Sequence, residues 1–360
     1  MAGRRVVIFG WAQSVHVQRW VQGLKQRGFE IKLVSLGGKP LAGIDNKNFP
    51  YGGKWRYPLH ALQAARAATA FKPDLVHVHY AGGFGLWGLV TRFHPTLVSV
   101  WGADIMESAA PPIMRGLVRR VLSHAIWVTA TSHFLADICS TLAPVTKNKL
   151  SVIPFGVAIP PICSPLPAGD TIGICFLKAH RAKYGPDLLI RALAISARSV
   201  PNVSLSLAGQ GEMTDDLKKL AQTCGLGEHI RFTGFIPPEK VYEFITRHHF
   251  MVMPSVSESE SFGVAALEAG ACGRAVIASR IGGVPEVVRD GYTGLLVSPG
   301  NVTQLAEAIT RLACDHGLMD RFGRTAYEHV KQQYDWEKSL DAMAGLYERL
   351  IDETKKNPTV

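Results

Sequence analysis

The sequence has no apolar run that approaches the roughly 20 residues a membrane-spanning helix requires. Near the N-terminus, residues 6–9 are only long enough for a strand before Gly10, so we expect a first β-strand rather than a signal peptide. The 360 residues include only six cysteines and no Cys-x-x-Cys pair, which argues against a zinc site and against a disulfide framework. These absences predict a cytoplasmic protein.

Acidic residues are scarce in the first part of the chain. Residues 1–150 hold 18 Lys and Arg against 6 Asp and Glu, whereas residues 151–360 hold 21 against 23. This asymmetry predicts an anionic partner for the N-terminal half, such as an anionic membrane surface or a phospholipid-linked substrate. Nucleic acid is disfavoured, because the basic residues form neither an aromatic-interleaved platform nor a known binding motif.

A basic amphipathic helix is predicted over residues 112–122. Arg115 and Arg119 lie one helical turn apart, opposite an apolar stripe. This pattern fits a helix that rests on an anionic bilayer, and it equally fits a surface helix whose stripe packs in the core. Residues 55–57, Trp-Arg-Tyr, form a second amphipathic cluster suited to an interface.

Strand-like and helix-like segments alternate along the chain, with glycine-rich turns between them. This alternation predicts an α/β fold built on parallel sheets. The stretch 154–167 carries five prolines, and the pattern restarts at residue 173. We therefore expect two doubly wound domains, at 1–160 and 161–335, with a ligand crevice at the carboxyl ends of the strands.

The segment 257–270 is the most informative part of the sequence. A strand pattern at 250–254 runs into a polar loop and then into small, helix-forming residues that begin near Gly263. A helix N-terminus presents N–H groups and a positive dipole end, which suit a phosphate. Glu260 and Glu268 are separated by roughly 10–12 Å of helical rise, and carboxylates accept hydrogen bonds from sugar hydroxyls. The segment predicts a sugar-nucleotide site, although an ordinary βα unit with two solvated acids has the same spacing.

Two motifs accompany these acids. Ser261, Phe262 and Gly263 follow Glu260 directly, and residues 283–294 read Gly-x-Pro-Glu-x-Val-x-Asp-Gly-x-x-Gly. In these motifs and their order the chain resembles the retaining GT-B glycosyltransferases of family four, the glycosyl transferases group 1. The resemblance implies two Rossmann-like doubly wound domains that face each other across a cleft. It also implies an N-terminal acceptor domain, a C-terminal donor domain and a terminal helical segment, 336–360, that packs back on the acceptor domain.

The resemblance implies roles for individual residues as well. Glu260 would contact hydroxyls of the donor sugar, and Glu268 would contact the ribose of the nucleotide. The amides at Phe262 and Gly263, next to Ser261, would face the diphosphate. The resemblance further implies an enzyme without metal or cofactor, whose co-substrate is a UDP- or GDP-linked sugar.

The family commonly carries a cationic pair on the first βα loop of the donor domain, as Gly-Arg-Leu followed by Lys-Gly. This chain departs from the pattern, because Lys178 stands at the arginine position and Tyr184 at the usual lysine, one place after Lys183. Lysine neutralises a leaving diphosphate as a point charge. Lys178 is therefore the candidate catalytic cation, whereas Lys183 either binds the donor or is a solvated loop lysine.

Further donor-binding candidates lie at the ends of other predicted strands. Gly209 and Gly211 let the backbone approach a phosphate or sugar closely, or form a plain tight turn. Ile236 lies in a loop suited to main-chain contacts with a base. In the first half, Gly10 and His16 resemble the family's acceptor-side loop, where small residues admit the donor phosphates. His16 either faces the crevice or is a surface histidine.

Residues 101–104 align with the family's His-Gly-x-Asp. Asp104 is kept as a candidate catalytic residue, but Trp101 replaces the histidine. His77 and His79 lie on one face of a predicted strand, where a crevice-edge or packing role is favoured over metal binding because no carboxylate or cysteine accompanies them.

Together these features predict a retaining hexosyl- or N-acetylhexosaminyltransferase. Its acceptor is expected to be an envelope polysaccharide, a glycolipid or a lipid-linked saccharide, handled at the inner face of the membrane. Two alternatives stay open. One is a GT-B-like sugar-nucleotide epimerase, which the Glu260–Glu268 spacing disfavours. The other is a basic module that binds membrane or nucleic acid without transferase activity.

Overall fold

The structure is a computed structural model that describes residues 3–53, 55–107 and 111–356. The chain divides into two compact units. The first comprises Met1–Gly156 and Glu337–Val360, and the second comprises Val157–Trp336. Residues 153–171, all of them described, form no helix and no strand apart from one bridge between Val157 and Asp335.

The first unit is built on a seven-stranded parallel sheet in the order β3-β2-β1-β4-β5-β6-β7. Its strands are β1 (Arg5–Phe9), β2 (Glu30–Leu36), β3 (Asp45–Phe49), β4 (Leu75–His79), β5 (Thr96–Val100), β6 (Trp127–Ala130) and β7 (Leu150–Val152). Its helices are α1 (Val15–Gln26), α2 (Arg56–Ala70), α3 (Gly83–Thr91), α4 (Ala103–Met106), α5 (Pro112–His124), α6 (His133–Leu142) and the terminal helix (Trp336–Lys356), whose first residue belongs to the second unit. Strands β4 and β5 are buried along their whole length, because helices cover both faces of a parallel sheet.

The second unit is built on a six-stranded parallel sheet in the order β10-β9-β8-β11-β12-β13. Its strands are β8 (Ile172–Leu177), β9 (Val203–Ala208), β10 (Ile230–Gly234), β11 (Phe250–Met253), β12 (Ala275–Ser279) and β13 (Gly294–Val297). Its helices are α7 (Pro186–Ser196), α8 (Thr214–Thr223), α9 (Val241–Thr246), α10 (Val264–Ala271), α11 (Val284–Val287), α12 (Val302–Cys314) and α13 (His316–Gln333). The terminal helix described with the first unit is labelled α14. Ligands of such sheets bind where the strand order reverses, which is between β8 and β11 here and between β1 and β4 in the first unit.

Helix α5 shows how the predicted amphipathic helix is used. Its apolar residues Val118, Val121 and Leu122 are buried in the core of the first unit, and Arg115 and Arg119 are exposed. The apolar stripe of α5 therefore packs inside the protein. Within the described ranges, no helix is both long and apolar enough to cross a bilayer. The last helix ends at Lys356 in the structure, and residues 357–360 of the predicted terminal segment lie outside the described part.

Candidate functional site

The second unit places an ion pair at its strand-order reversal. Lys178 follows β8, and Glu260 lies in the loop that follows β11. The Lys178 ammonium is 2.9 Å from each carboxylate oxygen of Glu260, and the Ser255 hydroxyl donates to the same carboxylate at 3.2 Å. The side chains of Lys178 and Glu260 expose 19% and 7% of their surface, so water screens the pair only weakly. The structure thus brings the two predicted catalytic residues of this unit into direct contact.

The loop from β11 to α10 is anchored through the main chain of Glu260. The Glu260 N–H donates to Ser257, and its carbonyl accepts from the Gly283 N–H at 3.3 Å. A Cβ added to Gly282 would lie 2.2 Å from that same carbonyl. The glycine-rich start of the 283–294 motif therefore packs directly on the Glu260 loop, which is a physical reason for the two motifs to occur together.

The residues after Glu260 lead into helix α10 as predicted from the sequence. Ser261, Phe262 and Gly263 are buried, and Gly263 is the N-cap residue of α10. The Phe262 ring contacts the ring of Tyr334 at 5.7 Å between centroids. Glu268 is the fifth residue of α10 and is half-buried. The helix N-terminus and both acids thus belong to one continuous segment.

Lys183 lies in a short 3₁₀ turn that packs beside Lys178. The ammonium groups of Lys178 and Lys183 are each 5.2 Å from the centre of the Tyr184 ring, a cation–π distance. The main-chain carbonyl of Lys183 accepts from the N–H of Val256, which ties this turn to the loop that carries Glu260. Tyr184 therefore lies next to both cations.

Residue 209 must be a glycine because the main chain of Lys178 lies directly against it. Its backbone has φ of +124°, and a Cβ at this position would lie 2.0 Å from the Lys178 carbonyl oxygen. Gly211 is equally close to a neighbour, since its Cβ would lie 2.3 Å from the His180 carbonyl oxygen. That these glycines admit a ligand stays a prediction; the structure shows that they admit the loop bearing Lys178.

His180 and Thr214 link the same two loops, and sequence reasoning gave neither a role. His180 Nδ1 lies 2.9 Å from the Thr214 hydroxyl, which accepts from the Gly211 N–H at 3.1 Å. The His180 ring is buried, and burial lowers the pKa of its imidazole, so the ring is neutral near pH 7. The hydrogen bonds of His180 fix the geometry of the loop after β9 relative to Lys178.

A Gly209→Ala substitution is expected to destabilise the protein by about 2–4 kcal/mol, through a steric clash with Lys178 and an unfavourable φ. Any folded fraction should bind a nucleotide-sugar more weakly, because the clash displaces Lys178. Chemical denaturation and donor titration measure the two effects. Gly227→Ala is the matched control, since nothing lies within 4 Å of its added Cβ. Equal stability of the two variants would contradict the steric argument.

The donor-binding candidates of the second unit lie along one edge of its sheet. The loops after β10, β9, β8 and β11 carry Ile236, Gly209 with Gly211, Lys178 and Glu260, in the same order as the strands. The Gly209 N–H donates to the Gly234 carbonyl at 2.7 Å, which joins two of these loops. Ile236 itself is half-buried two residues beyond β10.

Asp104 belongs to the first unit, where its carboxylate binds main-chain amides. Its oxygens accept hydrogen bonds from the N–H groups of Ala81, Trp101 and Gly102 at 2.9–3.0 Å. Burial raises the pKa of the Asp104 carboxyl, although these three amides act in the opposite direction. Its catalytic role stays a prediction, and its contacts are those of a residue that positions the loops after β4 and β5.

Gly10 and His16 lie at the strand-order reversal of the first unit. Gly10 follows β1, and its N–H donates to Val34 of β2. The half-buried ring of His16 stacks on Phe155 at 4.1 Å between centroids and contacts the edge of Trp101 at 6.0 Å. The tryptophan that replaces the family's histidine is therefore part of an aromatic cluster next to the predicted acceptor-side loop.

His77 and His79 are fully buried in the first unit. His77 lies 2.5 Å from the Tyr347 hydroxyl of α14 and 2.7 Å from the Ser99 hydroxyl, and its ring is 4.3 Å from that of His79. Burial lowers the pKa of His77 well below its usual value and that of His79 to about 3, so both rings are neutral. These contacts are those of a packing role.

Three contacts with predicted residues, in two separate units, involve residues that had no predicted binding role. Ser255 contacts Glu260, Tyr184 lies between two lysines, and Phe155 stacks on His16. Only Ser255 was open to sequence reasoning, since it lies two residues beyond a strand that ends at the predicted crevice. The contacts of Tyr184 and Phe155 depend on how distant segments meet.

Two all-parallel sheets of this strand order are the architecture of the GT-B fold. Solved structures share the fold. Sucrose-phosphate synthase from Thermosynechococcus elongatus has a TM-score of 0.84 and 22% identity, covering 97% of this chain and 100% of that chain. The Anabaena protein HepE, solved in complex with UDP-glucose, has a TM-score of 0.79 and 17% identity over 96% of this chain and 99% of that chain.

The chain belongs to the glycosyl transferases group 1 family, which confirms the predicted resemblance. The model of that family matches residues 165–329, and a glycosyl transferase 4-like model matches residues 5–132. The D-inositol 3-phosphate glycosyltransferase of Mycobacterium ulcerans is 35% identical over 346 residues, covering 87% of this chain and 71% of that protein. The enzyme of the same name from Actinosynnema mirum is 29% identical over 358 residues, covering 90% and 83%.

Proposed function

We propose that this glycosyltransferase moves a hexosyl or N-acetylhexosaminyl group from a UDP- or GDP-linked sugar to an acceptor, with retention of the anomeric configuration and without a metal. The single observation that carries the proposal is the Lys178–Glu260 pair at the strand-order reversal of the second unit. It joins a cation suited to a diphosphate with a carboxylate suited to sugar hydroxyls, beside the N-terminus of α10.

Lys178 has the central electrostatic role in the proposed reaction. As the bond between the sugar C1 and the diphosphate oxygen breaks, negative charge develops on the departing nucleotide. The Lys178 ammonium and the amides at Phe262 and Gly263 stabilise that charge. The acceptor oxygen forms a bond to C1 on the same face, and its proton passes to the leaving phosphate oxygen. Glu260 holds the sugar, and Glu268 holds the ribose.

The acceptor is proposed to be a carbohydrate or a lipid-linked saccharide bound by the first unit. The charge asymmetry between residues 1–150 and 151–360 supports an acceptor that carries negative charge. The names of the curated relatives suggest D-inositol 3-phosphate as a small anionic probe. It belongs in the acceptor panel beside lipid-linked saccharides.

A donor panel tests the proposal. UDP-glucose, UDP-N-acetylglucosamine and GDP-mannose are each scored for a rise in melting temperature and for acceptor-dependent release of nucleotide. One donor is expected to raise the melting temperature in proportion to RT ln(1 + [L]/Kd). In Glu268→Ala that rise should shrink, with affinity about 10-fold lower for one lost charge-assisted hydrogen bond. Glu307→Ala, on α12, is the matched control.

Two results would contradict the proposal. If no donor stabilises the protein or releases nucleotide with any acceptor, the chain is not the transferase described here. If a donor is converted to its epimer without an acceptor, the epimerase alternative is correct. The linkage formed in a successful reaction is read by the anomeric proton coupling in NMR, and an inverted product would overturn the retaining assignment.

A further inference from the structure

Large apolar side chains are exposed where the chain leads from β3 into α2. Tyr51, Trp55, Leu59 and Leu62 expose 51%, 62%, 59% and 67% of their surface. Trp55, Leu59 and Leu62 follow the spacing i, i+4 and i+7, so they share one face of the helix that Trp55 precedes. The opposite, alanine-rich face of α2 is buried. We name these four residues the α2 face.

The helix predicted to meet a membrane exposes less apolar surface. Its residues Val118, Val121 and Leu122 are buried in the core. Its exposed surface carries arginines and one large apolar side chain, Ile113, which is 87% exposed. On α2 the arrangement is reversed, because the exposed face itself is apolar and aromatic. A surface of this kind, rimmed by polar groups, marks an interaction site in a protein that is otherwise well packed.

The segment between Asp45 and Asp74, which carries the α2 face, has formal charge of one sign. Residues 46–73 contain five basic residues and no acidic residue. The Arg56 guanidinium lies 4.8 Å above the Trp55 ring, and the exposed Arg66 follows Leu62 by one helical turn. Tyr51 contacts the ring of Trp11, itself 37% exposed, at 5.8 Å. Aromatic and aliphatic side chains among basic groups are typical of helices that lie in the headgroup region of an anionic bilayer.

We propose that the α2 face docks the first unit on an anionic lipid bilayer. Trp55, Leu59 and Leu62 enter the headgroup region, while Arg56 and Arg66 contact lipid phosphates. The absence of acidic residues from 46–73 favours this occupant over a second copy of the chain, because two such faces would repel each other. The docking itself does not depend on the proposed function. Its purpose, which is to bring a lipid-linked acceptor to the first unit, rests on that function.

Vesicle co-sedimentation tests the docking. The protein is expected to bind vesicles of phosphatidylcholine with 30% phosphatidylglycerol, and to bind pure phosphatidylcholine at least about tenfold more weakly. The variant Trp55→Ser/Leu59→Ser/Leu62→Ser should lose about tenfold or more of the anionic-vesicle affinity. The matched control Val145→Ser/Ile162→Ser/Ile195→Ser removes three other exposed aliphatic side chains and should bind like the wild type.

A second measurement does not depend on the triple variant. Phosphatidylcholine brominated on its acyl chains, mixed with phosphatidylglycerol, should quench tryptophan fluorescence in the wild type and much less in Trp55→Phe. Binding that survives the triple substitution, or the absence of any binding to anionic vesicles, overturns the proposal. A third result also overturns the proposal: the protein dimerises, the triple substitution abolishes the dimer, and no vesicle binding occurs. That result would assign the α2 face to a second copy of the chain.

The two proposals fail independently. Vesicle binding needs neither donor nor acceptor, so Glu268→Ala should bind vesicles like the wild type. A protein that binds vesicles through the α2 face but transfers no sugar contradicts only the proposed function. A protein that transfers sugar to a water-soluble acceptor but ignores anionic vesicles contradicts only the docking.

Discussion

Lys178→Ala is expected to lower kcat for sugar transfer about 10²–10³-fold, the usual effect of removing one group that stabilises developing charge. The Lys178 ammonium lies 2.9 Å from both oxygens of Glu260, so it is the cation that the structure places against that carboxylate. Lys183 contacts the ring of Tyr184 at 5.2 Å. Single-turnover transfer measured at saturating donor separates this effect from weaker binding.

Two other lysine substitutions serve as controls for this prediction. Lys178→Arg keeps the charge and should retain more activity than the alanine variant, although its planar group fits the lysine position imperfectly. Lys219→Ala, on the exposed surface of α8, removes one positive charge elsewhere and should leave kcat unchanged. A Lys178→Ala variant with near-normal kcat and normal melting temperature would show that another group neutralises the diphosphate.

A double-mutant cycle separates catalysis from stability. Lys178→Ala leaves the Glu260 carboxylate, 7% exposed, without its cation, and breaking such a pair is destabilising. Adding Glu260→Gln removes the unpaired charge, so the double variant should be more stable than Lys178→Ala and no more active. Recovery of activity in the double variant would mean that Lys178 acts only as the counter-ion of Glu260.

The strand-end positions of the second unit were predictable from the sequence for a physical reason. Parallel strands bring their carboxyl ends to one edge, so Lys178 and Glu260, each just after a buried strand, had to lie near each other if those strands were neighbours. The sequence contained no information on the hydrogen bond of Ser255 to Glu260 or on the position of Tyr184, because both depend on loop conformation. The proximity was thus predictable, whereas the contacts were not.

Strand β3 and helix α3 of the first unit have weak local sequence signals, because tertiary packing outweighs local preference in both. Strand β3 reads Asp-Asn-Lys-Asn-Phe and has no apolar alternation, yet it pairs with β2 along its whole length as an edge strand. Helix α3 contains three glycines, which disfavour a helix. These glycines allow close packing, since a Cβ on Gly85 would lie 2.8 Å from Val121 and a Cβ on Gly88 would lie 2.8 Å from Val78.

Asp104 shows a different limit of sequence reasoning. Its place in a motif suggested catalysis, but a motif does not reveal which groups its oxygens bind. The three amides around the carboxylate account for an acidic residue at this position without any ligand. Arg274 is the converse case, since nothing in the sequence distinguishes it from other arginines and the structure buries it just before β12.

Arg274→Met is expected to destabilise the second unit by about 3–5 kcal/mol, the range seen when a buried charged group loses its partners or leaves them unpaired. The Arg274 side chain is 1% exposed and, among the described residues, donates only to main-chain carbonyls. Those carbonyls belong to Ser164, Pro165, Thr246, His248, Cys272 and Gly273, at 2.7–3.3 Å. They lie on the segment before β8, at and just after the end of α9, and just after α10, so one guanidinium joins three segments.

The measurement is equilibrium unfolding combined with amide exchange. A loss of about 3–5 kcal/mol corresponds to roughly 6–20 °C in melting temperature for a unit of this size. Faster exchange should appear first in α9 and α10, whose carboxyl ends lose their hydrogen bonds. Arg280→Met is the matched control, because Arg280 is 54% exposed and pairs only with Asp290 among the described carboxylates. Its loss should stay below about 1 kcal/mol. Helix α10 carries Glu268, so faster amide exchange along α10 in Arg274→Met should be accompanied by weaker donor binding. A large loss of stability with unchanged amide exchange in α10 would instead confine the role of Arg274 to the segment before β8.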